Sequence, residues 1–137
     1  SGFKWIGEQI HNLGLKFGIH VMRGISQTAI DAKSKVYGTN GITADMIVEP
    51  NTECNWYNGV SALDMNKNGS QQFENSLYQQ YSEWKVDFIK NDCVYGGNYV
   101  PDQIESVSKA IVLSGREMVY SLSPGNYAGP STMAQFI

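Results

Sequence analysis

Residues 84–95 read WKVDFIKNDCVY. Val86, Asp87, Phe88 and Ile89 have the composition of a short buried strand, and a polar cluster follows at once: Lys90, Asn91, Asp92 and Cys93. Side chains alternate across a strand, so Lys90 and Asp92 fall on one face and Asn91 on the other. A cation two residues from a carboxylate on the same face favours the ionised acid. Asp92 therefore reads either as a catalytic carboxylate with Lys90 beside it, or as a helix cap or ion-pair partner of Lys90. Asp87 falls on the opposite face from that pair, which gives it a structural reading.

Working outward, the same unit recurs. Gly69–Trp84 is expected to be a helix, with Phe73, Leu77, Tyr81 and Trp84 forming one buried stripe. Gly2–Leu13 is expected to be another, with Trp5, Ile6, Ile10 and Leu13 on its apolar side and Gly14 ending it. A strand Leu15–Val21 follows directly. Pro101 opens a third helix with Ile104, Val107, Ile111 and Val112 inward, and Gly115 closes it. Met118–Leu122 makes a third strand, ended by Ser123, Pro124 and Gly125. Gly96 and Gly97 mark a loop, and Asn126–Ile137 has no clear pattern.

The order is α, β, long segment, α, β, α, β. Each helix passes to its strand through a very short turn, and the polar residues gather after the strands. That asymmetry belongs to parallel α/β proteins whose chemistry lies at the carboxyl ends of the strands. Between the first two strands, Met22–Asn66 is far longer than the usual connection of about 4–6 residues. It carries Ile42, Met46, Ile47, Trp56, Tyr57 and Leu63, too many large apolar groups for a free linker. We expect an ordered excursion over the end of the domain, with Ile42–Ile47 as a short helix or strand.

Composition narrows the function. The 137 residues are 42% hydrophobic and 17% charged, which suits one globular domain. The net charge of -3, without a basic run, argues against nucleic acid, and no apolar run approaches the roughly 20 residues of a membrane span. Cys54, Cys93, His11 and His20 have no metal-ligand spacing, no GxGxxG follows a strand, and no cofactor is expected. One Asn-x-Ser glycosylation sequon stands at Asn68. The chain opens at Ser1 and stops at Ile137 as if within a domain, so residues 1–137 are expected to be one partial domain, incomplete at both ends.

Three separated motifs resemble glycoside hydrolase family 27, the family of α-galactosidases (melibiases) and some β-L-arabinopyranosidases. Gly14-Leu15-Lys16-Phe17-Gly18-Ile19-His20 resembles its GLKFGI strand, and Trp84–Asp92 resembles its WGVDYLKYD motif. Met118–Gly125, MVYSLSPG, resembles its next strand. The resemblance implies part of a (β/α)8 TIM barrel, about strands 2–4 with their helices. It implies a secreted, cell-wall, lysosomal or vacuolar glycosidase acting on an oligosaccharide or glycoconjugate. Asp92 falls on the nucleophile and Lys90 on the sugar-binding lysine, with His20, Met22 and Arg23 beside the pocket. The sugar-gripping aspartates of the first strand would precede Ser1, and the acid/base aspartate would follow Ile137.

Around that pair, His20 fits either the pocket or a satisfied core position, and Arg23 either a sugar or a loop carbonyl. Asp64 is a candidate for substrate contact or for a turn, and Trp56 for stacking on a sugar or for packing under its loop. Trp5 and Trp84 are expected in the core. Related enzymes tie the residues after the nucleophile to the strand-two loop, so a Cys54–Cys93 disulfide is expected, with two buried thiols as the alternative. Two departures stand out. Lys85 occupies a position where better-known members have glycine, and Ser121-Leu122-Ser123 replaces their Cys-Glu-Trp.

Overall fold

The computed structural model describes residues 2–52, 54, 56–94, 101–123 and 134. Its frame is a parallel three-stranded sheet in the order β1 (Gly18–Met22), β4 (Phe88–Asp92), β5 (Val119–Ser123). Helices α1 (Phe3–Asn12), α3 (Ser70–Glu83) and α4 (Pro101–Leu113) accompany it. The central core joins Phe17, Val86, Ile89 and Met118 to Tyr78 and Tyr81 of α3 and Val107, Ala110 and Ile111 of α4. The loop at Gly96 and Gly97, the Pro124-Gly125 breaker and all of Asn126–Ile137 except Ala134 lie outside the described residues.

The excursion after β1 has its own small core of Ile25, Val36, Ala44, Ile47 and Leu63. It contains the strands β2 (Ile25–Ser26) and β3 (Val60–Ser61), which pair antiparallel, and the five-residue helix α2 (Gln27–Asp31). The segment expected at Ile42–Ile47 is a single 3-10 turn, Ala44–Met46. At Gly24 a Cβ would stand 2.0 Å from the Ser61 carbonyl oxygen, and φ is +75°, so only glycine lets the two strands meet there.

All three strands begin later than the residue pattern suggests. Strand β4 runs Phe88–Asp92 rather than starting at Val86, so Asp92 is its last residue rather than beyond its end. The cause is the end of α3. The Lys85 N–H donates to the Ser82 carbonyl and the Val86 N–H to the Tyr81 carbonyl, the paired bonds of a Schellman cap. That cap uses Val86 before sheet pairing starts. Helix α1 ends in the same way, Gly14 donating to His11 and Leu15 to Ile10, and β1 begins only at Gly18.

The two caps differ in one respect. Gly14 takes the left-handed position at φ +74°, whereas Lys85 holds it at φ +61°. An L-residue in that conformation is strained by about 1–2 kcal/mol. The exposed Lys85–Glu8 ion pair at 3.6 Å offsets little of this. We therefore expect Lys85→Gly to stabilise the protein by about 0.5–1 kcal/mol, read as a higher denaturation midpoint with an unchanged slope.

On all three long helices, apolar positions are not where their spacing put them. Trp5 is 53% exposed, because α1 meets the chain through Gly7, whose Cβ would come within 2.4 Å of the Trp84 carbonyl oxygen. Val112 is 79% exposed: α4 buries Gln103, Ile104, Ser106, Val107, Ala110 and Ile111, and Val112 points away from that face. On α3 the fully buried stripe is Ser70, Glu74, Tyr78 and Tyr81, while Phe73, Leu77 and Trp84 are half-buried. The helix lies against α4 as well as the sheet, and this widens and rotates its buried side.

Asp87 links four segments just before β4. It accepts from His11 Nε2 at 2.6 Å, the Phe17 N–H at 2.8 Å and Arg116 Nη2 at 2.7 Å, with Lys16 Nζ 3.8 Å away. Burial pushes its carboxyl up, but the Phe17 amide, His11 and Lys16 prevail and hold it below the ordinary range. Its folded value is therefore below the unfolded one. The stability it confers is present above the ordinary carboxylate pKa and is lost as pH falls through the lower folded value. Asp87→Ala should cost about 2–4 kcal/mol at neutral pH in urea denaturation, with the deficit shrinking in acid.

Candidate active site

The parallel register builds the site. His20, Lys90 and Ser121 stand level on β1, β4 and β5, and Met22, Asp92 and Ser123 stand level one pleat further on. Residues level in a parallel sheet share a face, so these six side chains line one surface at the carboxyl ends of the strands. Asn91 lies on the other face, as alternation requires, and is buried.

Asp92 is the focus of this surface. Its Oδ2 is 3.2 Å from Lys90 Nζ and 3.1 Å from His20 Nε2. Its Oδ1 accepts from the Cys93 N–H at 2.8 Å. Cys93 itself holds a left-handed conformation, φ +62°. Burial raises the pKa of Asp92, but the Cys93 amide, Lys90 and His20 outweigh it, and the group stays ionised below the ordinary carboxylate range. The arrangement is that of a carboxylate kept charged and oriented by three donors, with its side chain 16% exposed.

Behind it the chain is tied down. Cys54 and Cys93 form a disulfide, with Cα atoms 5.9 Å apart, joining the excursion to the residue after Asp92. The Arg23 N–H donates to the Asp92 carbonyl at 3.1 Å. The Arg23 side chain is 3% exposed, and its guanidinium donates to the Thr52 carbonyl in the excursion. Asp64 sits elsewhere: its Oδ1 accepts from the Asn66 N–H and the Asn66 amide, as in a turn. Trp56 is 65% exposed, its ring 6.3 Å from that of Tyr57. Asn68 is exposed in the turn before α3, while the hydroxyl of its sequon partner Ser70 is buried against the Asp64 carbonyl.

A concavity of about 750 Å³ lies at the opposite, amino ends of β4 and β5, near Lys16, Asp87, Phe88, Arg116 and Val119. Its carboxylate is already engaged by the contacts of Asp87, and parallel barrels carry their chemistry at the other end. The surface at Asp92 is therefore the candidate site. Among the described residues no group of three or more His, Cys, Asp or Glu could hold a metal ion, and no helix is long and apolar enough to cross a membrane.

No protein-family profile matches the chain. A solved family 27 β-L-arabinopyranosidase from Geobacillus stearothermophilus, with arabinose bound, superposes with a TM-score of 0.91 at 40% identity, over 98% of this chain and 31% of that one. The chain belongs to glycoside hydrolase family 27.

Curated relatives of this family 27 chain include a "Probable alpha-galactosidase" of Dictyostelium discoideum. It is 25% identical over all of this chain and 26% of the relative. Alpha-galactosidase 3 of Hypocrea jecorina is 28% identical over 83% of this chain and 19% of the relative. The chain thus spans about a quarter or less of these curated relatives and a third of the solved one. Its sheet is part of a (β/α)8 barrel, in which β1, β4 and β5 are about the second to fourth strands.

His20 and Lys90 converge on Asp92 as a group, whereas Asp64, Trp56 and the Arg23 side chain share no hydrogen bond or ion pair with Asp92 that the structure records. Ser121 and Ser123 reach the site face through register alone. The sequence marks them only as a departure from the family's Cys-Glu-Trp, and it is the pairing of β4 with β5 that places them beside Lys90 and Asp92.

Proposed function

We infer that the protein containing this chain is a retaining glycosidase that removes terminal α-galactosyl or β-L-arabinopyranosyl groups from oligosaccharides or glycoconjugates. The observation that carries this reading is the ionised Asp92 carboxylate at the end of a barrel strand, oriented by Lys90, His20 and the Cys93 amide. Retention uses two carboxyl groups about 5–5.5 Å apart, one attacking the anomeric carbon and one protonating the departing oxygen. Asp92 suits the attacking role, because a nucleophile must be charged and the acid must be neutral.

In this reading Asp92 Oδ2 forms the bond to the anomeric carbon as the bond to the leaving oxygen breaks. That oxygen takes its proton from an acid in another part of the barrel. Water then cleaves the glycosyl-Asp92 ester. Lys90 and His20 donate to the carboxylate and to sugar hydroxyls beside it, while Arg23 supports the wall through Thr52. Trp56 offers an exposed apolar face for the group carrying the sugar. The two candidate sugars share most of their stereochemistry and differ at the C6 hydroxymethyl. The disulfide favours an oxidising location, outside the cell or in a lysosome or vacuole.

A second reading is a carbohydrate-binding member of the fold that performs no hydrolysis. The test is to assay the full-length protein on the nitrophenyl α-galactoside and β-L-arabinopyranoside, with Asp92→Asn alongside. Hydrolysis of either, abolished by the substitution, supports the enzyme. Tight sugar binding without turnover supports the second reading.

A further inference from the structure

Glu74 lies on the buried side of α3, one turn before Tyr78, in the layer between that helix and the sheet. It is 4% exposed and makes no hydrogen bond or ion pair with any described residue. The titratable groups facing it are Tyr78 and Tyr81 of α3 and Tyr120 of β5, all acids. No Lys, Arg or His occurs among the residues outside the described set, so none of those can supply a cation. Strand β4 presents Asn91 to this layer, from the back of the segment bearing Lys90 and Asp92. Asn91 Nδ2 donates to the Tyr120 hydroxyl at 3.0 Å, and Asn91 Oδ1 is buried without a partner. From α4 the buried polar groups are Gln103 and Ser106, neither of them charged.

A carboxylate cannot persist in such a place without a cation, because desolvation disfavours the charged form. A neutral carboxyl fits, and it adds an O–H donor to a layer in which an acceptor is orphaned. We propose that Glu74 is a buried neutral acid behind the nucleophile-bearing strand, and that its ionisation loosens the packing of α3 on β4, making this part of the barrel a pH-responsive element suited to acidic surroundings. Mutating it should therefore alter how stability varies with pH, which a merely space-filling residue would not do.

Burial pushes the Glu74 carboxyl from 4.5 up to about 8. The folded value is above the unfolded one, so the folded protein holds the extra proton between those two pH values. The stabilisation is full below the unfolded value and is lost as pH rises toward the folded one.

The test is chemical denaturation of the full-length protein from pH 5 to pH 8.5, comparing wild type with Glu74→Gln and Glu74→Leu. The wild-type folding constant, divided by that of either variant, should fall by about ten-fold per pH unit through the middle of the window. If both variants fold poorly, hydrogen exchange in wild-type peptides covering α3 and β4 carries the test. After correction for intrinsic rates, their protection should drop between pH 6 and pH 8.5 more than that of the remaining peptides. A flat ratio, or uniform protection, overturns the proposal and means that a cation from elsewhere in the protein pairs with Glu74. No catalytic readout is involved, so either result leaves the assignment of Asp92 to be judged by its own assay.

Discussion

Asp92→Asn should lower kcat/KM of the full-length protein on an activated aryl glycoside by about 10⁴-fold or more while leaving the fold in place. The amide has nearly the shape of the carboxylate, so the backbone and disulfide around it need not move. What changes is charge. An amide cannot form the glycosyl ester, and it presents an NH₂ or a neutral oxygen to Lys90 and His20, which both approach Oδ2. Denaturation midpoints of the two proteins should lie close together, separating loss of chemistry from loss of structure. The native carboxyl is held below its ordinary range by the Cys93 amide, Lys90 and His20 against the opposing effect of burial. Loss of activity through protonation of Asp92 should therefore set in only below the usual carboxylate pKa of about 3.9. Undiminished hydrolysis by Asp92→Asn would remove Asp92 from the nucleophile's role.

The second large effect is expected at the disulfide. The two cysteines are 39 residues apart in sequence, and closing a loop of that length restricts the unfolded chain by about 4 kcal/mol at 25 °C. Cys54→Ala should remove much of that stability, visible as a lower denaturation midpoint. It should also reduce activity beyond what unfolding explains. Cys93 carries the N–H that donates to Asp92 Oδ1, and the bridge ties that residue, in its left-handed backbone conformation, to the excursion. Without the bridge that residue is free to relax toward an ordinary conformation, and the carboxylate loses one of its three donors. Comparing kcat of Cys54→Ala with wild type well below both unfolding transitions measures this second effect. Equal kcat values would mean that the sheet alone holds the amide in place.

Much of this was legible in the chain. The alternation of short-turned helices and strands carried the parallel α/β architecture, because that periodicity is written locally. The pairing of Lys90 with Asp92 followed from strand alternation, and the two cysteines were expected together from resemblance to related enzymes. Strand boundaries were less legible, since Schellman caps at Lys85 and Gly14 take up residues that have strand composition. Trp5 and Val112 were misplaced because an apolar residue on a helix says which faces could be buried, not which face a neighbour reaches. Glu74 stayed hidden for the converse reason: an acid in a polar helix reads as solvated until the second packing surface, α4, is in place.

By itself the sequence determined the barrel-type order, the carboxylate at Asp92 and the cation beside it, because each depends on residues close together in the chain. Only the tertiary structure decided which groups meet there. His20 arrives from 72 positions away through the β1–β4 register, and Ser121 and Ser123 through the β4–β5 register. It also set the depth of Glu74 behind the same strand. Register and burial arise from packing between distant segments, and no local pattern encodes them.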